Sequence, residues 1–132
     1  MIAVNKAFEI LKENKITGPV VQIEVDEALG FVLAEDVNSP IDMPPFDQSA
    51  MDGYALGDTT SDSYTVIGEV TAGESAEGCV LKSGEAVRIF TGAMVPDSAA
   101  SVIKQESISR VENTITITEK NKKGENIRRR GE

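Results

Sequence analysis

The sequence predicts a mainly β fold with short α segments. A small antiparallel, barrel-like or sandwich-like β domain is inserted in an extended linking region that begins with an N-terminal helix. Three observations predict it. From Tyr64 onward, short alternating runs recur between turn residues. Before Gly18-Pro19 the apolar spacing is helical. Between the two, Ser39-Pro40 and Pro44-Pro45 mark irregular extended chain. With 132 residues, 40% hydrophobic and 27% charged, the chain suits one domain, or a small domain plus a piece of another. The expected divisions are residues 1–45 (helix and linking region), 46–119 (β-rich domain) and 120–132 (a return into the linking region).

Residues 2–13 carry Val4, Ala7, Phe8 and Leu11 at i, i+3, i+4, i+7, with Lys6, Glu9, Lys12 and Glu13 opposite. That is an amphipathic helix whose stripe needs a partner. Residues 20–25, Val-Val-Gln-Ile-Glu-Val, suit a short strand. Asp26 to Leu29 fits one helical turn, with Asp26 as N-cap and Gly30 as stop. Residues 38–52 read as an ordered loop anchored by Met43, Phe46 and Met51. Tyr64–Val70, Glu85–Phe90 and Val102–Glu106 read as strands. Ser107–Val111 and Thr114–Glu119 form a hairpin about Glu112-Asn113. Alternation there sends Ile115 and Ile117 to one face.

Composition excludes several chemistries. No histidine is present, so Ser-His-Asp triads and imidazole ligands are ruled out. The single cysteine, Cys79, excludes an intrachain disulfide and a multi-cysteine zinc site. Net charge is −9; residues 1–119 carry −13 and residues 120–132 carry +4. An acidic body repels nucleic acid. No apolar run reaches the roughly 18 residues of a membrane span, and the first residues do not resemble a signal peptide. The expectation is a cytoplasmic protein without nucleic-acid or membrane partners.

Three segments could carry chemistry. Residues 44–55, Pro-Pro-Phe-Asp-Gln-Ser-Ala-Met-Asp-Gly-Tyr-Ala, gather Asp47, Ser49 and Asp52. Oxygen ligands of this kind suit Mg²⁺ shared with a substrate phosphate, and Gly53 permits close approach of a ligand to the backbone. An ordinary turn built by the aspartates is the alternative. Residues 88–96, Arg-Ile-Phe-Thr-Gly-Ala-Met-Val-Pro, end a strand at Thr91-Gly92. A hydroxyl and exposed amides there could hold an oxyanion, or form a simple turn. Residues 124–132 bring three arginines, which suit phosphate or a solvated edge. Cys79 reads as a small core residue.

Together these segments resemble the molybdopterin molybdenumtransferase family, which includes MoeA and the gephyrin E-domain. The resemblance rests on Ala28-Leu29-Gly30, Pro44 to Ala55, Ile89 to Pro96, and Gly124-Glu125-Asn126-Ile127-Arg128. It implies the amino-terminal portion of an enzyme of molybdenum cofactor biosynthesis. Such an enzyme works as a homodimer and inserts molybdate into adenylylated molybdopterin with release of AMP, aided by Mg²⁺. It implies Asp52 and Thr91 as catalytic residues, Ser49, Gly53 and Gly92 as substrate-binding residues, and Asp52 as metal ligand. It also implies that this portion alone is inactive, because the pterin-binding region and the family's aspartate after Gly131-Glu132 lie outside it. One departure stands out: Ser98-Ala99-Ala100 replaces a family Gly-Ala-Asp, which questions the local turn. The alternative function is a non-catalytic β-rich interaction or dimerisation module.

Overall fold

A computed structural model of the chain describes residues 2–132. The chain separates into two compact units, Met1–Asn38 and Ser39–Glu132.

In the first unit, helix α1 spans Val4–Glu13. Its stripe forms as the spacing predicts, yet Val4, Phe8 and Leu11 are exposed. The expected strand over residues 20–25 does not form. Residues 20–24 join no ladder, because β-branched residues need a partner strand and none of the described residues supplies one. A 3₁₀ turn follows at Val25–Glu27. Asp26 lies inside it and is not its N-cap; Glu24 precedes it, with no side-chain cap. Gly30 is not its stop either: Ala28 caps the turn, and Gly30, at φ +92°, sits in the next turn, where the Phe31 amide donates to the Ala28 carbonyl.

The second unit holds the sheets. Strands β1 (Gln48–Ser49), β2 (Gly53–Leu56), β3 (Ser63–Val70), β4 (Glu85–Ile89), β5 (Ser101–Lys104), β6 (Ile108–Val111), β7 (Thr114–Ile117) and β8 (Ile127–Arg128) follow in order. Six of them form one sheet in the order β5-β2-β4-β3-β7-β6, and β1 pairs with β8. Every pairing is antiparallel except β3–β4, which is parallel. The main sheet is therefore mixed where the sequence predicts antiparallel pairing throughout. A crossover through residues 71–84 returns the chain to the same end of the sheet, as parallel pairing requires.

Alternation splits the apolar residues between two faces. Ala55, Val70, Leu81, Val87, Ile89, Val95 and Val102 pack in one cluster. Tyr54, Leu56, Tyr64, Ala86, Ile103 and Ile115 pack in the other, joined by Ile117. Ile115 and Ile117 share a face, as the hairpin alternation predicts. β2 is buried along its whole length, although no strand is assigned to its four residues, Gly-Tyr-Ala-Leu, from the sequence. The strand expected at Val102–Glu106 begins at Ser101 and stops at Lys104, where Gln105–Ser107 turn as 3₁₀.

One carboxylate organises the end of the sheet that follows β2. Seven donor atoms lie within hydrogen-bond range of the Asp58 carboxylate: the amides of Thr60, Ser61 and Gly84, the hydroxyls of Thr60, Ser61 and Ser83, and the phenol of Tyr64. Burial opposes ionisation, but the Ser61 amide, the Ser83 hydroxyl and the Gly84 and Thr60 amides outweigh it and hold this carboxyl far below the usual range. Burial, reinforced by the charge of Asp58, pushes the Tyr64 phenol up to about 12.

Asp58→Ala strands three backbone amides, so unfolding in urea should show a loss of roughly 3 kcal/mol. A depressed folded pKa means that this stabilisation is complete above the ordinary carboxylate range near pH 4. Lowering the pH below that range should narrow the gap between wild type and Asp58→Ala, because only the wild type loses the contribution as the carboxylate takes up its proton. Ile115 is 0% exposed and Val111 is 71% exposed. Ile115→Asp buries an unpaired charge and should cost about 3–5 kcal/mol, whereas Val111→Asp should stay within about 0.5 kcal/mol in the same urea titration.

Candidate functional site

The three motif segments converge at one end of the β2–β4 ladder. The register pairs Gly53 with Ile89, so Asp52, just before β2, comes beside Phe90 and Thr91, just after β4. The Thr91 amide donates to Asp52 Oδ1 at 2.7 Å. That amide, with the Thr91 hydroxyl and the more distant Arg88 charge beside it, holds the Asp52 carboxyl below its ordinary range. Both residues are exposed. Asp52 Oδ2 accepts no hydrogen bond from the described residues. Here the structure joins the two residues for which the resemblance implies catalysis.

The other expected site residues build this corner. Ser49 is 1% exposed; its hydroxyl donates to the Met51 carbonyl at 2.6 Å and accepts from the Met51 amide. The Ser49 amide donates to Ala93, and the Gly92 amide donates to the Ser49 carbonyl at 2.9 Å. The Ala93 amide donates to Phe90. The amides of residues 91–93 are thus all engaged internally, and the expected oxyanion cradle at Thr91-Gly92 is absent: the turn spends its donors on Asp52 and β1. Gly92 is required for its backbone, at φ +84° with open space where a Cβ would stand. Gly53 is required for packing. A Cβ there would meet the Ile103 carbonyl oxygen at 1.8 Å, so β5 makes a close approach to this backbone.

Asp47 anchors the preceding loop. It accepts from the Arg130 amide at 3.0 Å and pairs with the Arg129 guanidinium. The Arg130 amide leads Arg129 in holding its carboxyl low, against burial. Arg130 also reaches Asp42 Oδ2 at 2.7 Å. These ion pairs and the β1–β8 ladder order the loop, where the sequence points to Met43, Phe46 and Met51; both methionines are exposed, and Phe46 is half-buried. The arginine run therefore holds the motif loop in place, a link the sequence could show only as opposite charges far apart. At the departure from the family pattern, Ser98 Oγ accepts from the Leu81 amide at 2.8 Å and donates to the Cys79 carbonyl, so the turn remains tied.

Sequence reasoning missed two members of the corner. Arg88 donates to the Gly53 carbonyl at 3.1 Å and to Gln105 Oε1 at 2.9 Å. The Gln105 amide donates to the Asp52 carbonyl at 3.0 Å. Arg88 carried a signal, since it opens the Arg-Ile-Phe-Thr-Gly run; Gln105 had none.

No group of three or more Asp, Glu, His or Cys that could hold a metal occurs among the described residues, and Asp52 offers one carboxylate with one free oxygen. These residues do not form a self-sufficient metal site. No helix among them is long and apolar enough to cross a membrane. Two hollows lie elsewhere: one of about 280 Å³ beside Thr59–Asp62, and an open one of about 460 Å³ between Ser39–Asp42 and Arg130.

Residues 2–132 match the family described as the MoeA N-terminal region, domains I and II. A molybdopterin molybdenumtransferase of Haemophilus influenzae is 44% identical over 83% of this chain and 28% of its own length. One of Staphylococcus aureus is 33% identical over 99% of this chain and 33% of its own. A crystal structure of the molybdopterin biosynthesis MoeA protein of Pyrococcus horikoshii OT3 shares the fold, with a TM-score of 0.72 and 38% identity over 83% of this chain and 31% of that one. The chain spans about a third of the length of the curated relatives it matches.

Gly53→Ala should force β2 and β5 apart at the Ile103 carbonyl and cost about 2–3 kcal/mol, read from chemical denaturation. Gly68, which meets nothing within 4 Å at the position of a Cβ, is the control: Gly68→Ala should stay within about 1 kcal/mol.

Proposed function

The chain belongs to the family of the MoeA N-terminal region, and on that premise we propose that it is part of a molybdopterin molybdenumtransferase acting in molybdenum cofactor biosynthesis. The full-length enzyme inserts molybdate, its substrate, into adenylylated molybdopterin and releases AMP. It works as a cytoplasmic homodimer. The residues described here supply one wall of the site, and this portion alone is inactive. The observation that carries the reading is the Asp52–Thr91 corner: an exposed carboxylate fixed by the Thr91 amide, built by the same segments on which the family resemblance rests.

Asp52 and Thr91 are the site residues in this proposal; Ser49, Gly53 and Gly92 frame them. Transfer involving a phosphoanhydride calls for positioning and charge neutralisation more than for a protein base, which suits a chain without histidine. Mg²⁺, which usually keeps several waters and takes one or two carboxylates plus substrate phosphates, would neutralise charge on the nucleotide. Asp52 is the residue of this portion that would help to hold it, since the described residues alone form no cage. Asp52 stays ionised at neutral pH, held so by Thr91, and Thr91 presents its exposed hydroxyl beside it.

In the full-length protein, Asp52→Asn keeps an acceptor for the Thr91 amide, so stability should fall by no more than about 1 kcal/mol. Molybdate-dependent AMP release should drop roughly 100-fold, as for loss of one electrostatic stabiliser. Unchanged turnover would remove Asp52 from the mechanism, and joint loss of turnover and stability would make it a turn residue only. The 132-residue chain alone should release no AMP from adenylylated molybdopterin; molybdate-dependent release by it would overturn the division of the site.

A further inference from the structure

Arg88 lies directly opposite Tyr54 in the β2–β4 register. Its guanidinium sits over the Tyr54 ring at 5.2 Å and over the Phe90 ring at 4.8 Å from the centroids. Two such contacts restrain a side chain that otherwise samples many rotamers. Its two terminal nitrogens then point different ways: one donates to the Gly53 carbonyl, the other to Gln105 Oε1. The Gln105 amide in turn donates to the Asp52 carbonyl. The two successive carbonyls that leave Asp52 are therefore held by one connected pair of residues.

We propose that Arg88 is the positioning residue of this corner: its fork, fixed on two aromatic faces, sets the backbone that leaves Asp52 and so aims the carboxylate at Thr91. The inference deepens the reading of Asp52 as a site residue and rests on it for its functional meaning. The charged groups around the fork do not account for its place. Glu69 is its register partner on β3, Lys104 is opposite Gly53 on β5, and Arg110 donates to the Tyr54 hydroxyl at 3.2 Å. No ion pair joins Arg88 to a carboxylate among the described residues. Its directed bonds go to a carbonyl and an amide oxygen, which a planar fork can span and an ammonium cannot.

The test is amide hydrogen exchange by NMR on the 132-residue chain, comparing Arg88→Lys, Arg88→Met and Gln105→Ala with wild type. Thr91, whose amide is held by Asp52, should exchange about ten-fold faster in both Arg88 variants and less so in Gln105→Ala. Gly84, held by Asp58 at the far end of the same ladder, should keep its rate. Lysine retains the charge, so failure of Arg88→Lys to restore Thr91 protection assigns the effect to the fork. An unchanged Thr91 rate, rescue by lysine, or an equal rise at Gly84 would overturn the proposal. If the Arg88 variants do not fold, Gln105→Ala, at an exposed side chain, decides by the same two amides. In the full-length enzyme Arg88→Lys should lower kcat and leave KM within about two-fold. A loosened Thr91 amide with normal turnover would leave the positioning role standing and defeat the catalytic reading of Asp52.

Discussion

The β2–β4 ladder is latched at both ends by carboxylates, and much of the second unit is arranged around those two latches. At one end Asp52, ahead of β2, takes the amide of Thr91, just past β4. At the other, Asp58, past β2, takes the amide of Gly84 and the hydroxyl of Ser83, just ahead of β4. Between them run four paired residues on each strand, from Gly53–Ile89 to Leu56–Ala86. The Asp58 latch also closes the turn that launches β3 and fixes where the crossover re-enters, so it sets up the parallel β3–β4 pair. A charged acceptor forms stronger hydrogen bonds than a neutral one, which is why so short a ladder can be held firmly by two side chains.

The two latches differ in what they leave over. Asp58 is saturated by the loops around it and is removed from any chemistry with a ligand. Asp52 accepts one bond, keeps an oxygen free and faces solvent. Two aspartates in similar places on the same pair of strands thus differ in surroundings: one is enclosed by the loops it ties, the other stays open to solvent. The acidic chain supplies both from its abundant carboxylates, and the arginines of its basic end serve to hold Asp42 and Asp47 in the motif loop.

The first unit shows the opposite balance. Its helix keeps an apolar stripe in the open, and the β-branched stretch after it joins no ladder. A helix of ten residues gains little from its own hydrogen bonds, and a lone strand gains nothing from its propensity. What the sequence expresses there is a capacity to pair.

The residue pattern by itself determined the periodic elements: α1, β3, β4 and the β6–β7 hairpin with Ile115 and Ile117 on one face, because alternation and helical spacing are local properties of the chain. It also carried the motif run that contains Asp52 and Thr91. Only the tertiary structure decided the rest. β2 is a central strand because β4 and β5 flank it, although its four residues carry no strand signal. Gly53 is needed because the Ile103 carbonyl occupies the space of a side chain. The amides at Thr91-Gly92 are spent because Asp52 and Ser49 arrive from 39 and 43 residues earlier, and Arg88 meets Gly53 and Gln105 because β2 and β5 are neighbours. Those contacts depend on which strands become neighbours, and that choice is made by burying both faces of the sheet at once, a condition no single segment can express.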